Sequence, residues 1–147
     1  MADVKQLAGD GALDINVVTP FGPITHEESD AIIAPGEMGE FEVLAGHIPF
    51  LTALHAGVMT IGEKLAKTVY AVGPGYLRVG GDGQVEVLVE QALLADDIDL
   101  AAAKAALNES RDELAKWKDK TPDGEYKSLA DRRDWAQAQL DAHARMF

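Results

Sequence analysis

The distribution of glycine divides this chain in two. Thirteen of its fourteen glycines precede Asp96, and only Gly124 follows it. An internal glycine weakens a helix by roughly 1 kcal/mol, so the glycine-rich part is poorly suited to long helices. It reads instead as short β-prone runs separated by turn residues, with strands expected over 13–19, 24–28, 31–34, 41–44, 50–54, 58–61, 65–72, 76–79 and 84–90. Such spacing predicts an all-β sandwich or barrel. Gly81-Asp82-Gly83 is a hairpin turn, because both residue types tolerate the positive φ that tight turns need. Val85, Val87 and Val89 alternate with Glu86, Leu88 and Glu90, which predicts a strand with one apolar face.

Beyond Asp96 the composition shifts to Ala, Lys, Asp, Glu and Leu. Leu100, Ala103, Leu107, Ser110, Leu114 and Trp117 follow helical spacing, with Asp96 or Asp97 expected to cap the start. Residues 120–124, K-T-P-D-G, are a stop and turn. Tyr126, Leu129, Arg133, Ala136, Leu140, His143 and Phe147 repeat the spacing on a second helix. Two helices of roughly twenty residues, each about 30 Å long, make an antiparallel hairpin. Its seam is thin, because Ser110, Arg133 and His143 interrupt it and alanines make up much of the rest. A weakly held hairpin, able to dock elsewhere or open, is the expectation. The division is a β-sandwich over 1–95, with 1–12 a loosely ordered lead-in, followed by a helical hairpin over 96–147.

Bulk properties narrow the function. A net charge of −12 argues against a nucleic-acid surface or direct binding to an anionic membrane. Absence of cysteine excludes a disulfide framework and thiolate chemistry. The first residues, M-A-D-V-K-Q-L-A-G-D-G-A, lack a signal-peptide core, and no apolar run reaches the roughly eighteen residues a membrane span needs, so a soluble protein is expected. No G-x-S-x-G, H-E-x-x-H or cysteine nucleophile is present, so no catalytic residues are assigned.

One stretch carries a resemblance. Gly39 to Gly57 reads G-E-F-E-V-L-A-G-H-I-P-F-L-T-A-L-H-A-G. It resembles the signature of the epsilon subunit of F-type ATP synthases (delta in mitochondria), G-E-aromatic/aliphatic-G-V/I-L-x-G-H-x-P-x-L-T-x-L-x-x-G. The similarity continues from about Leu13 to the C-terminus and departs at Glu42, where the family usually has glycine. If that glycine serves a positive φ, glutamate here is strained.

The resemblance implies a flattened ten-strand sandwich followed by the hairpin, in a non-catalytic central-stalk subunit. That subunit couples gamma to the proton-driven c-ring at the cytoplasmic face of a bacterial inner membrane. It implies that Glu40, Glu42 and His47, taken as one loop end, meet polar loops of the c-ring. His47 equally suits a purely local role in its Gly46–Pro49 corner. Gly73-Pro74-Gly75 falls on the family's S-G-G-x-x-E-V corner, with Arg78 in place of glutamate. Tyr76 and Arg78 are the implied gamma contacts. Arg132, Arg133 and Arg145 are the implied contacts of extended helices with the catalytic alpha and beta subunits, which would inhibit ATP hydrolysis. The same charges also serve simply to solvate a helix.

Ile98 and Asp99 match the family's nucleotide-binding I/L-D-x-x-R-A segment, but Ala102 replaces its arginine and removes the cation a phosphate needs. No cofactor is therefore expected, and an N-capped helix start is the simpler reading. A stand-alone nucleotide sensor is the alternative function, and an enzyme of unrecognised type is the second. His26, Glu27, Glu28 and Asp30 match no defined metal spacing and read as a solvated turn; His55 reads as an exposed loop residue.

Overall fold

The computed structural model describes residues 12–62, 67–117 and 123–146. Ten strands come first: β1 (Leu13–Thr19), β2 (Gly22–Ser29), β3 (Ala31–Gly36), β4 (Gly39–Leu44), β5 (Phe50–Leu54), β6 (Gly57–Ile61), β7 (Thr68–Val72), β8 (Gly75–Val79), β9 (Gln84–Val89) and β10 (Ala92–Leu94). A 3-10 turn (Ala95–Asp97) leads into α1 (Leu100–Ala115) and then α2 (Gly124–Met146). The strands are hydrogen-bonded in the order β10-β7-β6-β3-β5-β8-β9-β1-β2, with β4 paired to β3 off this path. The sheet folds over on itself into two layers, β10-β7-β6-β3-β4 and β5-β8-β9-β1-β2.

The fold-over is built from three side-by-side steps of two residues each. His55-Ala56 joins β5 to β6, Gly73-Pro74 joins β7 to β8, and Glu90-Gln91 joins β9 to β10. The registers Leu54↔Gly75↔Val89 and Gly57↔Val72↔Ala92 flank these steps. Hydrogen bonds continue through the bend: Gly73 N–H donates to the Gln91 carbonyl at 2.9 Å and Glu90 N–H to the Pro74 carbonyl at 2.9 Å. The bend demands glycine. A Cβ at Gly75 would overlap the carbonyl oxygen of Leu88, and one at Gly57 would lie 2.7 Å from Cβ of Pro35.

Alternation places the core. Ile15 and Val17 of β1, Leu77 of β8, and Val85 and Val87 of β9 are fully buried, and Val89 nearly so, facing Ile32, Met59, Ile61 and Val72 of the other layer. β6 and β7 do not alternate. Val58-Met59-Thr60-Ile61 and Val69-Tyr70-Ala71-Val72 are buried on both faces, one toward the sandwich interior and the other beneath α2.

Several sequence expectations are corrected. Ten strands form where nine were read, because β10 is only three residues long and gives no period to detect. The seventh strand begins at Thr68, and 63–66 lie outside the described residues. His26, Glu27 and Glu28 belong to β2, with His26 Nε2 2.7 Å from Asp14 Oδ1 on β1, so they form part of a ladder and not a turn. The cap of α1 is Asp99, whose Oδ1 accepts from Ala102 N–H at 3.0 Å, because Asp96 and Asp97 are taken up in the 3-10 turn. Glu42 lies in a regular strand opposite Ile33, a conformation glutamate adopts without strain. The lead-in falls almost wholly outside the described residues, as does Phe147.

The hairpin is capped at its second helix and packs on the sandwich. Asp123 Oδ1 caps α2 by accepting from Glu125 N–H at 2.9 Å and Tyr126 N–H at 3.2 Å. Ala103, Leu107 and Ser110 of α1 are buried, as is Ala136 of α2. A second stripe on α2, Ala138 and Ala142, packs against Val58, Val69, Ala71 and Ala95. Small side chains let the helix lie close to the sheet.

Candidate functional site

The two outer faces of the sandwich differ. The β6-β7 face is roofed by α2. The opposite face, on β5-β8-β9-β1, carries no helix among the described residues. Its cross-strand register aligns Ala53, Tyr76, Leu88 and Val18 in a row, with Tyr76 57% and Leu88 53% exposed. The next row aligns Leu51, Arg78, Glu86 and Asn16. Arg78 Nη2 and Glu86 Oε1 are 2.7 Å apart, so the guanidinium already holds a cross-strand partner beside the apolar row. Beside Tyr76 and Leu88, an open groove of about 590 Å³ runs past Thr19, Glu37, Pro74 and Glu90. At the turn tips near it, Phe21 is 91% and Met38 101% exposed. Exposed apolar side chains gathered around one groove mark an interaction surface. Tyr76 and Arg78, singled out from the sequence, stand on this face together. Leu88, Val18 and the turn tips were not singled out, although the exposed position of Leu88 in the β9 alternation was a usable signal.

Glu40, Glu42 and His47 do not form one loop end. Glu40 follows the β3–β4 turn and pairs with Pro35, whereas His47 lies beyond the far end of β4, past Leu44↔Ala31. At about 3.3 Å per residue, Glu40 and Leu44 alone are about 13 Å apart. Glu40 and Glu42 share the outward face of β4, while Phe41 and Val43 turn inward. His47 is half-buried: its Nδ1 donates to the Ile48 carbonyl at 2.8 Å and its ring lies 4.8 Å from that of Phe50. Phe50 in turn meets Phe41 edge-on at 5.7 Å. These contacts are local.

The three helix arginines are likewise dispersed. Arg132 Nη2 lies 3.4 Å from Glu109 Oε2 across the hairpin, and Arg133 Nε lies 3.0 Å from Asp134 Oδ1. Arg145 reaches the sandwich, with Nη1 3.1 Å from Glu40 Oε2. Asp99 caps α1, and Ile98 packs beneath α2 beside Trp135. His55 is exposed at the bend, with Nδ1 donating to the Ala56 carbonyl at 2.6 Å. Among the described residues no cluster of three or more His, Asp or Glu side chains is placed to hold a metal ion, and no helix is long and apolar enough to cross a membrane. Burial holds the Tyr70 phenol above its ordinary pKa, and the nearby Glu27 charge adds to the effect; a hydrogen bond with Thr25 opposes it.

Among the described residues, a folded-over β module with a helix on one outer face and the exposed Tyr76–Leu88 row on the other has the build of a docking subunit, a protein that works by holding other proteins. The family model for the ATP synthase delta/epsilon chain β-sandwich domain matches residues 12–95. An ATP synthase epsilon chain from Geotalea uraniireducens is 45% identical over 104 residues, covering 71% of this chain and 75% of that one. One from Magnetococcus marinus is 36% identical over 132 residues, covering 88% and 93%. A chain in the Euglena gracilis mitochondrial ATP synthase assembly of OSCP, F1 and c-ring superposes with a TM-score of 0.67. Its 22% identity, over 92% of this chain and 79% of that one, speaks for the fold alone. The chain belongs to the delta/epsilon family of ATP synthase subunits, non-catalytic stalk components of the complex.

Proposed function

We propose that this subunit joins gamma to the c-ring in the rotating stalk of a bacterial ATP synthase, at the cytoplasmic face of the inner membrane. The observation that carries this reading is the asymmetry of the sandwich. One outer face is covered by the chain's own helix, and the other leaves Tyr76, Leu88 and Val18 in a row for a partner to cover. Gamma binds this bare face, with Tyr76 as its aromatic anchor and Arg78 at its edge. Glu40 and Glu42, outward on the edge strand, meet polar loops of the c-ring, and His47 supports the opposite end of β4. The module reaches the membrane only through the complex. A sheet hydrogen-bonded continuously around its bend suits a part that transmits torque.

The hairpin is the regulatory element in this reading. Released from the sandwich, it presents Arg132, Arg133 and Arg145 to the catalytic alpha and beta subunits and slows ATP hydrolysis. No nucleotide site is assigned to it, since Ala102 leaves the Ile98-Asp99 segment without a phosphate-binding cation.

Reconstitution with a complex lacking this subunit tests the bare face. The double substitution Tyr76→Ala, Leu88→Asp leaves the buried core untouched and is expected to weaken assembly with gamma at least about tenfold, the scale of a lost interface anchor. Assembly at native affinity would refute the assignment of that face.

A further inference from the structure

The groove beside Tyr76 and Leu88 combines apolar side chains with two carboxylates. Ala53, Leu54 and Val89 line it, and Glu37 and Glu90 enter it from the ends of β3 and β9. Register sets their spacing. Gly36, Leu54, Gly75 and Val89 form one cross-strand row, and the two glutamates follow its outer members. With β5 and β8 between them, three strand spacings of about 4.8 Å put their backbones about 14 Å apart along the sheet. Both side chains are exposed. Among the described residues, neither carboxylate takes part in a hydrogen bond or ion pair. Two nearby cations are already held: Arg78 pairs with Glu86 at 2.7 Å, and Lys127 of α2, which senses the Glu90 charge, pairs with Asp131 at 2.8 Å.

An apolar groove with an unpaired carboxylate on either side selects its occupant by charge as well as by shape. A neutral or acidic surface laid over it would desolvate both carboxylates without offering them a partner. We infer that the segment of gamma covering this groove sets an apolar side chain beside Tyr76 and Leu88, and brings a lysine or arginine to Glu37 and another to Glu90. The inference rests on the assignment of this face to gamma and adds what that assignment lacks, the charge of the partner's surface. Tyr76 and Leu88 are the buried anchor. Glu37 and Glu90 belong to the rim, where charges act mainly on the rate of association and its salt dependence.

The test measures binding of the full chain to an assembly that holds alpha, beta and gamma but neither this subunit nor the c-ring. Glu37→Gln, Glu90→Gln is expected to associate more slowly and bind about 2- to 25-fold more weakly at about 0.1 M salt, taking about 1.5- to 5-fold for each exposed pair. Native and variant affinities are expected to draw together at about 1 M salt, where the screening length falls to about 3 Å. The reversal Glu37→Lys, Glu90→Lys is expected to weaken binding further. Glu28→Gln, Asp30→Asn changes the net charge equally at the other end of β2, and is expected to bind as the native chain does. Native binding by the Glu37→Gln, Glu90→Gln variant overturns the inference, and so does an equal loss in the Glu28→Gln, Asp30→Asn variant. A loss that appears only when the c-ring is present also overturns it, assigning the two carboxylates to the ring. Any of these results alongside weak binding by Tyr76→Ala, Leu88→Asp leaves gamma on this face. Native binding by that last variant overturns both the assignment and the inference.

Discussion

Replacing Ala142 with glutamate should lift α2 off the sandwich without unfolding it. Ala142 is fully buried and Ala138 nearly so, against Val58, Val69 and Ala71. Counting the two valines at about 1.5 kcal/mol each and the three alanines at about 0.8 kcal/mol each puts the gross apolar gain of docking on the order of 5 kcal/mol. Ordering the helix offsets part of that figure, and the partly buried Ile98 and Trp135 add to it. An unpaired carboxylate in this seam carries a penalty of several kcal/mol on its own, and the longer side chain adds steric strain of about 1–3 kcal/mol. Together these match or exceed the gain. Native-state hydrogen exchange is the direct assay: α2 amides should lose most of their protection while those of β1 and β9 keep theirs. Trp135, half-buried against the same cluster, should shift its fluorescence toward that of an exposed indole. Full protection of α2 in the variant would refute the argument that this alanine seam holds the helix. Loss of protection throughout the sheet would refute the separability of the two parts.

Other perturbations read different features. Gly75→Ala drives a Cβ into the Leu88 carbonyl and should destabilise the sandwich by about 3 kcal/mol in urea unfolding, the upper range for overpacking. Asp99→Ala removes the α1 cap and should raise opening of the first turn about fivefold, corresponding to about 1 kcal/mol, by hydrogen exchange. Tyr70 keeps its proton to higher pH when folded than when unfolded, so folding stability should be level below about pH 10 and decline above it. Tyr70→Phe should flatten that decline in urea titrations across pH 9–11.

The sandwich was legible because its signals are local. Alternation in β9 and the Gly81–Gly83 turn each follow from neighbouring residues, and the structure places both as read. The placement of α2 was not legible from the helix. Ala136, Ala138, Ala142 and Ala144 stand in one stretch, and a methyl group gives no contrast between a packed side and an open one. The strands held the better clue, since neither Val58–Ile61 nor Val69–Val72 alternates with charged residues, which implies cover on both faces. Glu40 and His47 appeared neighbours because they share one motif, yet a strand between them carries the two ends apart. The Glu40–Arg145 pair joins segments 105 residues apart, and no periodicity reports such a meeting.

The folded-over sheet also sets how the module bears a load. In a sandwich whose layers touch only through side chains, a sideways pull lets one layer slip over the other. Here three strands continue from layer to layer as unbroken polypeptide, with cross-links at Gly73–Gln91 and Glu90–Pro74. A force on Tyr76 therefore reaches the roofed face along covalent backbone, and the first parts to yield are the edge strand β4 and the helix lying across β6 and β7.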